Sequence, residues 1–153
     1  MSYLETKRNA IMNAVASGQL TNLLENATWL DGYFGSGGSI QTADTGKQKY
    51  TDNYIEVEPE HNYLVVCSTS TAVTKWTRTV LYDTTKTYKT METVNNSEQR
   101  TDFYLGTIIT TNVTAYIRFS VRTYGNIDVA LIDMDEVEQW LESNITFENV
   151  TAT

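Results

Sequence analysis

KWTRTVLYDTTKTYKTM, residues 75–91, decides the fold reading of this chain. Over residues 75–82 the side chains alternate in an extended strand. Trp76, Arg78, Val80 and Tyr82 share one face, and Lys75, Thr77, Thr79 and Leu81 share the other. Asp83-Thr84-Thr85-Lys86 is turn chemistry, and residues 88–91 read as the returning strand of a hairpin. Outward from this hairpin the same signature recurs. Residues 29–34, 54–57, 63–68, 103–110, 115–122 and 126–132 read as further strands, giving about eight in all. Turn residues separate them, including the glycines of 35–38 and the single proline, Pro59. Residues 40–46 are polar and read as loop, and residues 94–100 are polar and read as exposed. Abundant threonine with many Tyr, Val and Ile residues points the same way, to β-structure.

The two ends change period. Residues 2–17 read as a helix, with Ser2 and Glu5 in capping-box spacing and Leu4, Ile11, Met12 and Val15 on or beside one apolar stripe. A helix this short needs a partner. Either it folds back onto its own domain or it meets copies of itself, and the stripe Leu4, Ile11, Met12 and Val15 would then be the oligomer seam. Asp133 and Glu136 repeat the capping spacing ahead of Met134, Val137, Trp140 and Leu141, which predicts a second short helix. Residues 145–147 read as one last strand.

With 153 residues and a net charge of −8, the chain is one acidic domain's worth of sequence. Seven carboxylates follow Arg122 with no Lys or Arg among them, so residues 1–122 are nearly neutral. No basic stripe is present to neutralise phosphates, which excludes nucleic acid and disfavours an anionic membrane surface. No apolar run is long enough to cross a bilayer as a helix, and residues 1–5 lack the basic and apolar regions of an export signal. Cys67 is the only cysteine and reads as a small hydrophobe in a core strand, so no intramolecular disulfide forms. The Asn-x-Ser/Thr triplets at Asn26, Asn95, Asn112, Asn144 and Asn149 carry no weight in so threonine-rich a chain.

Catalytic constellations are thin. His61 is the sole histidine and lies in the turn after Pro59, where any histidine-based triad would depend on it. Glu56, Glu58 and Glu60 alternate at a strand end, which is more economically a solvated face than a glycosidase pair. Gly35-Ser36-Gly37-Gly38 lacks the Gly-Lys-Ser/Thr ending of a phosphate loop and is a turn. The chain is therefore expected to be non-enzymatic, with no cofactor.

Three stretches carry a family resemblance: TWLDGYFGSGGSI from Thr28, YTDNYIEVEPEHNY from Tyr50, and the YDTTKTY hairpin with the YIRFSV strand from Tyr116. With these, residues 28–132 resemble the jelly-roll domain of tailed-bacteriophage virion proteins, found in tail, baseplate, fibre and head-decoration components. That domain is similar to galactose-binding-like and carbohydrate-binding modules. The chain departs from the pattern at Glu60-His61-Asn62, where the family often has glycine, and at 111–114, where it often has proline.

The resemblance implies a jelly-roll β-sandwich over residues 28–132, flanked by a helical attachment or oligomerisation segment at 1–27 and an acidic helix and tail at 133–153. It implies a non-enzymatic virion structural protein, built into the phage particle with other virion proteins as a homo-oligomer, a trimer first, and contacting host-surface glycans. The alternative is a free carbohydrate-binding module with measurable monovalent affinity. A glycan-cleaving enzyme is the third class and would need two spaced carboxylates in a cleft. Structural calcium, sometimes held by such sandwiches, would fall to Asp31, Asp44 and Asp52, without an EF-hand loop to gather them.

Glycans rest on aromatic faces with polar groups beside them. Trp76 and Arg78 on one strand face, Tyr88 across the hairpin, and Tyr50 and Tyr124 at loop or strand ends are the candidate glycan-binding residues. In the simpler competing reading Trp76, Val80 and Tyr82 face a core and Arg78 snorkels from it. Trp29, Tyr54, Tyr63 and Phe119 are assigned to the core.

Overall fold

The computed structural model describes residues 8–42, 48–67, 76–95, 104–122 and 129–151. In chain order the elements are α1 (Arg8–Ala16), β1 (Trp29–Asp31), β2 (Tyr33–Phe34), a 3-10 turn (Ser36–Gly38), β3 (Ile40–Gln41), β4 (Gln48–Thr51) and β5 (Ile55–Glu56). There follow β6 (Asn62–Cys67), β7 (Trp76–Tyr82), β8 (Tyr88–Asn95), β9 (Tyr104–Ile109), β10 (Tyr116–Arg122), β11 (Val129–Asp133) and α2 (Met134–Thr151).

Strands dominate, in two antiparallel sheets and a small hairpin. The larger sheet has the order β1-β4-β10-β7-β8, with β5 also paired to β10, and the smaller has the order β11-β6-β9. Between them lies the sandwich core. Leu81, Ile117, Phe119 and Val121 of the larger sheet meet Tyr63, Val65, Ile108, Val129 and Leu131 of the smaller.

Each sheet is also covered on its outer face. Beneath the smaller sheet Ile11, Ala14 and Leu20 join Leu64, Val66, Ala130, Ile132, Met134 and Val137 in a second core. Above the larger sheet Phe34 and Tyr50 pack with Val80 and Tyr82 in a third. This explains why β6 and β11 carry continuous apolar runs instead of alternating: their successive residues enter different cores.

The predicted strand at 29–34 is two strands. Gly32, at φ +137, breaks it, so β1 pairs with β4 while β2 leaves the sheet and pairs with β3 as a flap. A side chain at Gly32 would meet the Gln41 carbonyl at 2.8 Å and the Tyr50 ring at 3.1 Å. The flap lies flat because Gly38 has no Cβ: one built there would stand 2.6 Å from Tyr88 and 3.2 Å from Val80, and its φ is +75.

Several other expectations are corrected. Of the two places given for Tyr50, loop or strand end, it takes the strand, lying in β4 between β1 and β10. Residues 145–147 are helical, because α2 runs on to Thr151 instead of ending before a last strand. Residues 40–41 pair with β2, and β8 extends to Asn95. The Ser2 and Glu5 cap lies outside the described residues.

The N-terminal stripe is used inside the chain. Ile11 is fully buried against the smaller sheet, with Met12 and Val15 packed beside it, and Leu4 lies outside the described residues. The position assigned to an oligomer seam is thus filled by the chain's own sheet. Ile11→Ala should lower unfolding free energy by about 2–4 kcal/mol, as cavity-forming core truncations do. The check is a urea midpoint followed by circular dichroism. A drop in solution mass with unchanged stability would return the residue to a subunit interface.

The β7–β8 turn is held by one carboxylate. Asp83 Oδ1 accepts from the Thr85 N–H at 2.9 Å, the Thr85 hydroxyl at 2.7 Å and the Thr87 N–H at 3.0 Å. The Thr85 hydroxyl is the largest cause of a pKa lowered to about 2. A depressed carboxylate stabilises above its unfolded pKa, about 3.9, and the contribution is lost as pH falls through the folded value. Asp83→Asn should therefore unfold at lower urea than the parent at pH 6, and the gap should close near pH 2.

Candidate functional site

Two groups of side chains are built tightly enough to act. One is an aromatic face on the outer side of the larger sheet, at its β7–β8 turn end. Tyr82 is the cross-strand partner of both Tyr88 and Tyr116, so the pairing alone gathers three tyrosines. Tyr54, just before β5, adds its ring at 4.8 Å from Tyr82 and 6.4 Å from Tyr116, both near-perpendicular. Tyr82 is buried, while Tyr54 and Tyr88 keep 36% and 37% of their surface. Burial pushes the Tyr82 phenol up, and Arg118 opposes it through charge and a hydrogen bond.

Arg118 is the cation under this face. It is only 9% exposed, donates to the Thr51 carbonyl at 3.3 Å, and has Asp52 at 3.8 Å. Its guanidinium stands 4.9 Å from the Tyr54 ring centre, 5.1 Å from Phe34 and 5.7 Å from Tyr50. Lys86, exposed in the turn, places its ammonium 5.1 Å from Tyr54 and 5.2 Å from Tyr116. The result is an amphipathic surface of partly exposed tyrosine rings, with the Lys86 ammonium over two of them.

The candidate glycan residues separate. Tyr88 belongs to this face. Arg78 is half-buried, donating to the Phe34 carbonyl at 2.8 Å and lying 5.7 Å from the Tyr33 ring centre, so it pins the flap. Tyr50 is buried edge-on against Phe34 at 5.4 Å and offers no free ring face. Trp76 opens β7, its side chain lying outside the described residues, as does Tyr124 altogether. Val80 and Tyr82 do face a core, though it is the flap core and not the sandwich. Of the four aromatics assigned to the core, Tyr63 and Phe119 are buried and Trp29 packs edge-on against Phe119, but Tyr54 is exposed. Tyr54, Tyr116, Lys86 and Arg118 are the residues that sequence reasoning missed. The signal was the β7–β10 register, which alternation within a single strand does not contain.

The second group lies where the β5–β6 loop meets α2. His61 Nε2 is 2.7 Å from Asp133 Oδ1 and 3.6 Å from Asp135 Oδ2. The hydrogen bond to Asp133 raises the His61 pKa against the opposing effect of burial, with Asp135 and Glu58 adding to the rise. Asp133 Oδ1 also caps α2 by accepting from the Asp135 N–H at 2.9 Å. One imidazole nitrogen and two carboxylate oxygens, all within 4.8 Å of one another, form a donor set of the kind divalent metals accept. Glu56, Glu58 and Glu60 are exposed. Asp31 pairs with Lys49, Asp52 faces Arg118 and Asp44 lies outside the described residues, so the calcium trio is not gathered among the described residues.

No helix of the described residues is long and apolar enough to cross a membrane. No protein-family model matches the chain, and no curated protein matches it.

Proposed function

We propose that this chain is a non-enzymatic structural protein of a bacteriophage virion, a tail, baseplate, fibre or capsid-decoration component, that presents a carbohydrate-binding-like jelly roll to host-surface glycans. The observation that carries the binding half is the face formed by Tyr54, Tyr88 and Tyr116 with Lys86. Its rings are braced from below by Tyr82 and Arg118, so little ordering entropy is lost when a sugar stacks on them. The virion half rests on the resemblance of residues 28–132. The antiparallel sheet orders, β1-β4-β10-β7-β8 over β11-β6-β9, support a jelly roll of the carbohydrate-module type.

The burial of Ile11 inside the chain supports a second reading, a free carbohydrate-binding module, because part of the stripe that would form an oligomer seam packs on the chain's own sheet. In a virion weak single-site binding is multiplied by copy number, whereas a free module must bind monovalently. The test is a glycan array probed with the chain alone and with the chain displayed on a multivalent bead. The virion reading expects signal on beads only; the free-module reading expects it from both. The double variant Tyr54→Ala with Tyr88→Ala should reduce binding about tenfold or more, since each stacked ring contributes on the order of 1 kcal/mol. Unchanged binding by a folded double variant would remove the face from the function.

A further inference from the structure

Outside the aromatic face, the most constrained cluster of donor groups is at His61. The ring is fixed from its backbone outward. The His61 N–H donates to the Thr110 hydroxyl at 2.8 Å, and the Thr110 N–H donates to the His61 carbonyl at 2.9 Å. The Tyr63 ring meets the imidazole edge-on at 5.1 Å. The Asp133 carboxylate is held at the junction where β11 becomes α2, where it accepts from the Asp135 N–H, and the exposed Asp135 carboxylate stands beside it. Donors from segments 72 residues apart in the chain therefore meet at one point.

Their spacing suits a metal. With metal–ligand bonds of about 2.1 Å, neighbouring donors are about 3.0 Å apart in an octahedral site and about 3.4 Å apart in a tetrahedral one. The observed separations from His61 Nε2, 2.7 and 3.6 Å, bracket these values. An independent feature points to a cation. A cavity of about 390 Å³ adjoins the cluster through Asp133, and among the described residues its lining includes Glu56, Glu58, Asp133 and Glu136 with no basic side chain. Four carboxylates thus border the open space on the Asp133 side of the cluster. The α2 N-terminus opposes a cation with about half a positive charge, which two carboxylates outweigh.

We propose that His61, Asp133 and Asp135 bind a divalent transition-metal ion of the zinc or cobalt type, tying the β5–β6 loop to the start of α2. The imidazole donor selects against calcium and magnesium, which take oxygen ligands. Nothing in this assignment depends on glycan binding.

The experiment titrates cobalt(II) into chelator-treated full-length protein at neutral pH, following visible absorption, with zinc(II) melting curves alongside. Saturable one-to-one binding in the micromolar range is expected, with a zinc-dependent rise in melting temperature. His61→Gln and Asp135→Asn should each weaken cobalt binding at least tenfold, and Glu60→Gln should leave it unchanged. Circular dichroism establishes that each variant is folded, and Asp135→Asn keeps the cap from Asp133. The proposal is overturned by absence of saturation at millimolar cobalt, by a folded His61→Gln variant that binds as the parent does, or by calcium binding equally well.

Discussion

The structure depends on burying both faces of both sheets. In β6, Tyr63 and Val65 enter the sandwich core while Leu64 and Val66 enter the helix-covered core. A sheet of only three strands cannot shelter two apolar faces by itself. One face needs the larger sheet and the other needs α1 and α2, so these two helices form a structural layer on the sandwich. The same requirement on the larger sheet is met by the β2–β3 flap. That flap is possible only because glycine at 32 lets the chain leave the sheet and glycine at 38 lets it lie down again.

The flap changes what the outer face of the larger sheet can hold. Ser120 is fully buried there and Arg118 nearly so, which would be costly without partners. Ser120 accepts from the Phe34 N–H at 3.3 Å, and Arg118 has the Thr51 carbonyl, the Tyr82 phenol and three aromatic rings around it. A guanidinium shielded in this way strengthens its attraction to the rings, because less water competes for it. The apolar covering of the flap and the stiffness of the tyrosine face are thus one construction: removing Phe34 would expose the cation that braces Tyr54.

Much of this was legible in the sequence. Alternation over 75–82 correctly assigned Val80 and Tyr82 to one face and Leu81 to the other, and the Asp83 turn followed from its residue types. Both helices were visible as changes of period. What periodicity cannot carry is which strands become neighbours. Tyr54, Tyr82, Tyr88 and Tyr116 lie on four separate segments, and it takes the β7–β8, β7–β10 and β5–β10 registers to bring them together. Tyr54 is not core, because it lies just outside β5 and escapes burial. His61 was isolated in sequence for a similar reason. Its carboxylate partners are 72 and 74 residues away, in what reads as an ordinary helix cap.

The two sites share a support. Tyr54 precedes β5, and β5 is fixed to β10 by the pairing of Ile55 with Ile117 and Glu56 with Tyr116. The chain then crosses from the larger sheet to the smaller: the Val57 N–H donates to the Ala115 carbonyl, and the Glu58 N–H donates to the Tyr63 phenol. It turns at Pro59 and Glu60 and arrives at His61. One short crossing therefore carries the exposed tyrosine at one end and the histidine at the other, with ladder and turn hydrogen bonds between. Rigidity imposed at His61 by its carboxylates restricts how far the crossing can shift against α2. Because Tyr54 leads into β5, and β5 pairs with the β10 strand that carries Tyr116, the same restriction preserves the spacing of the rings.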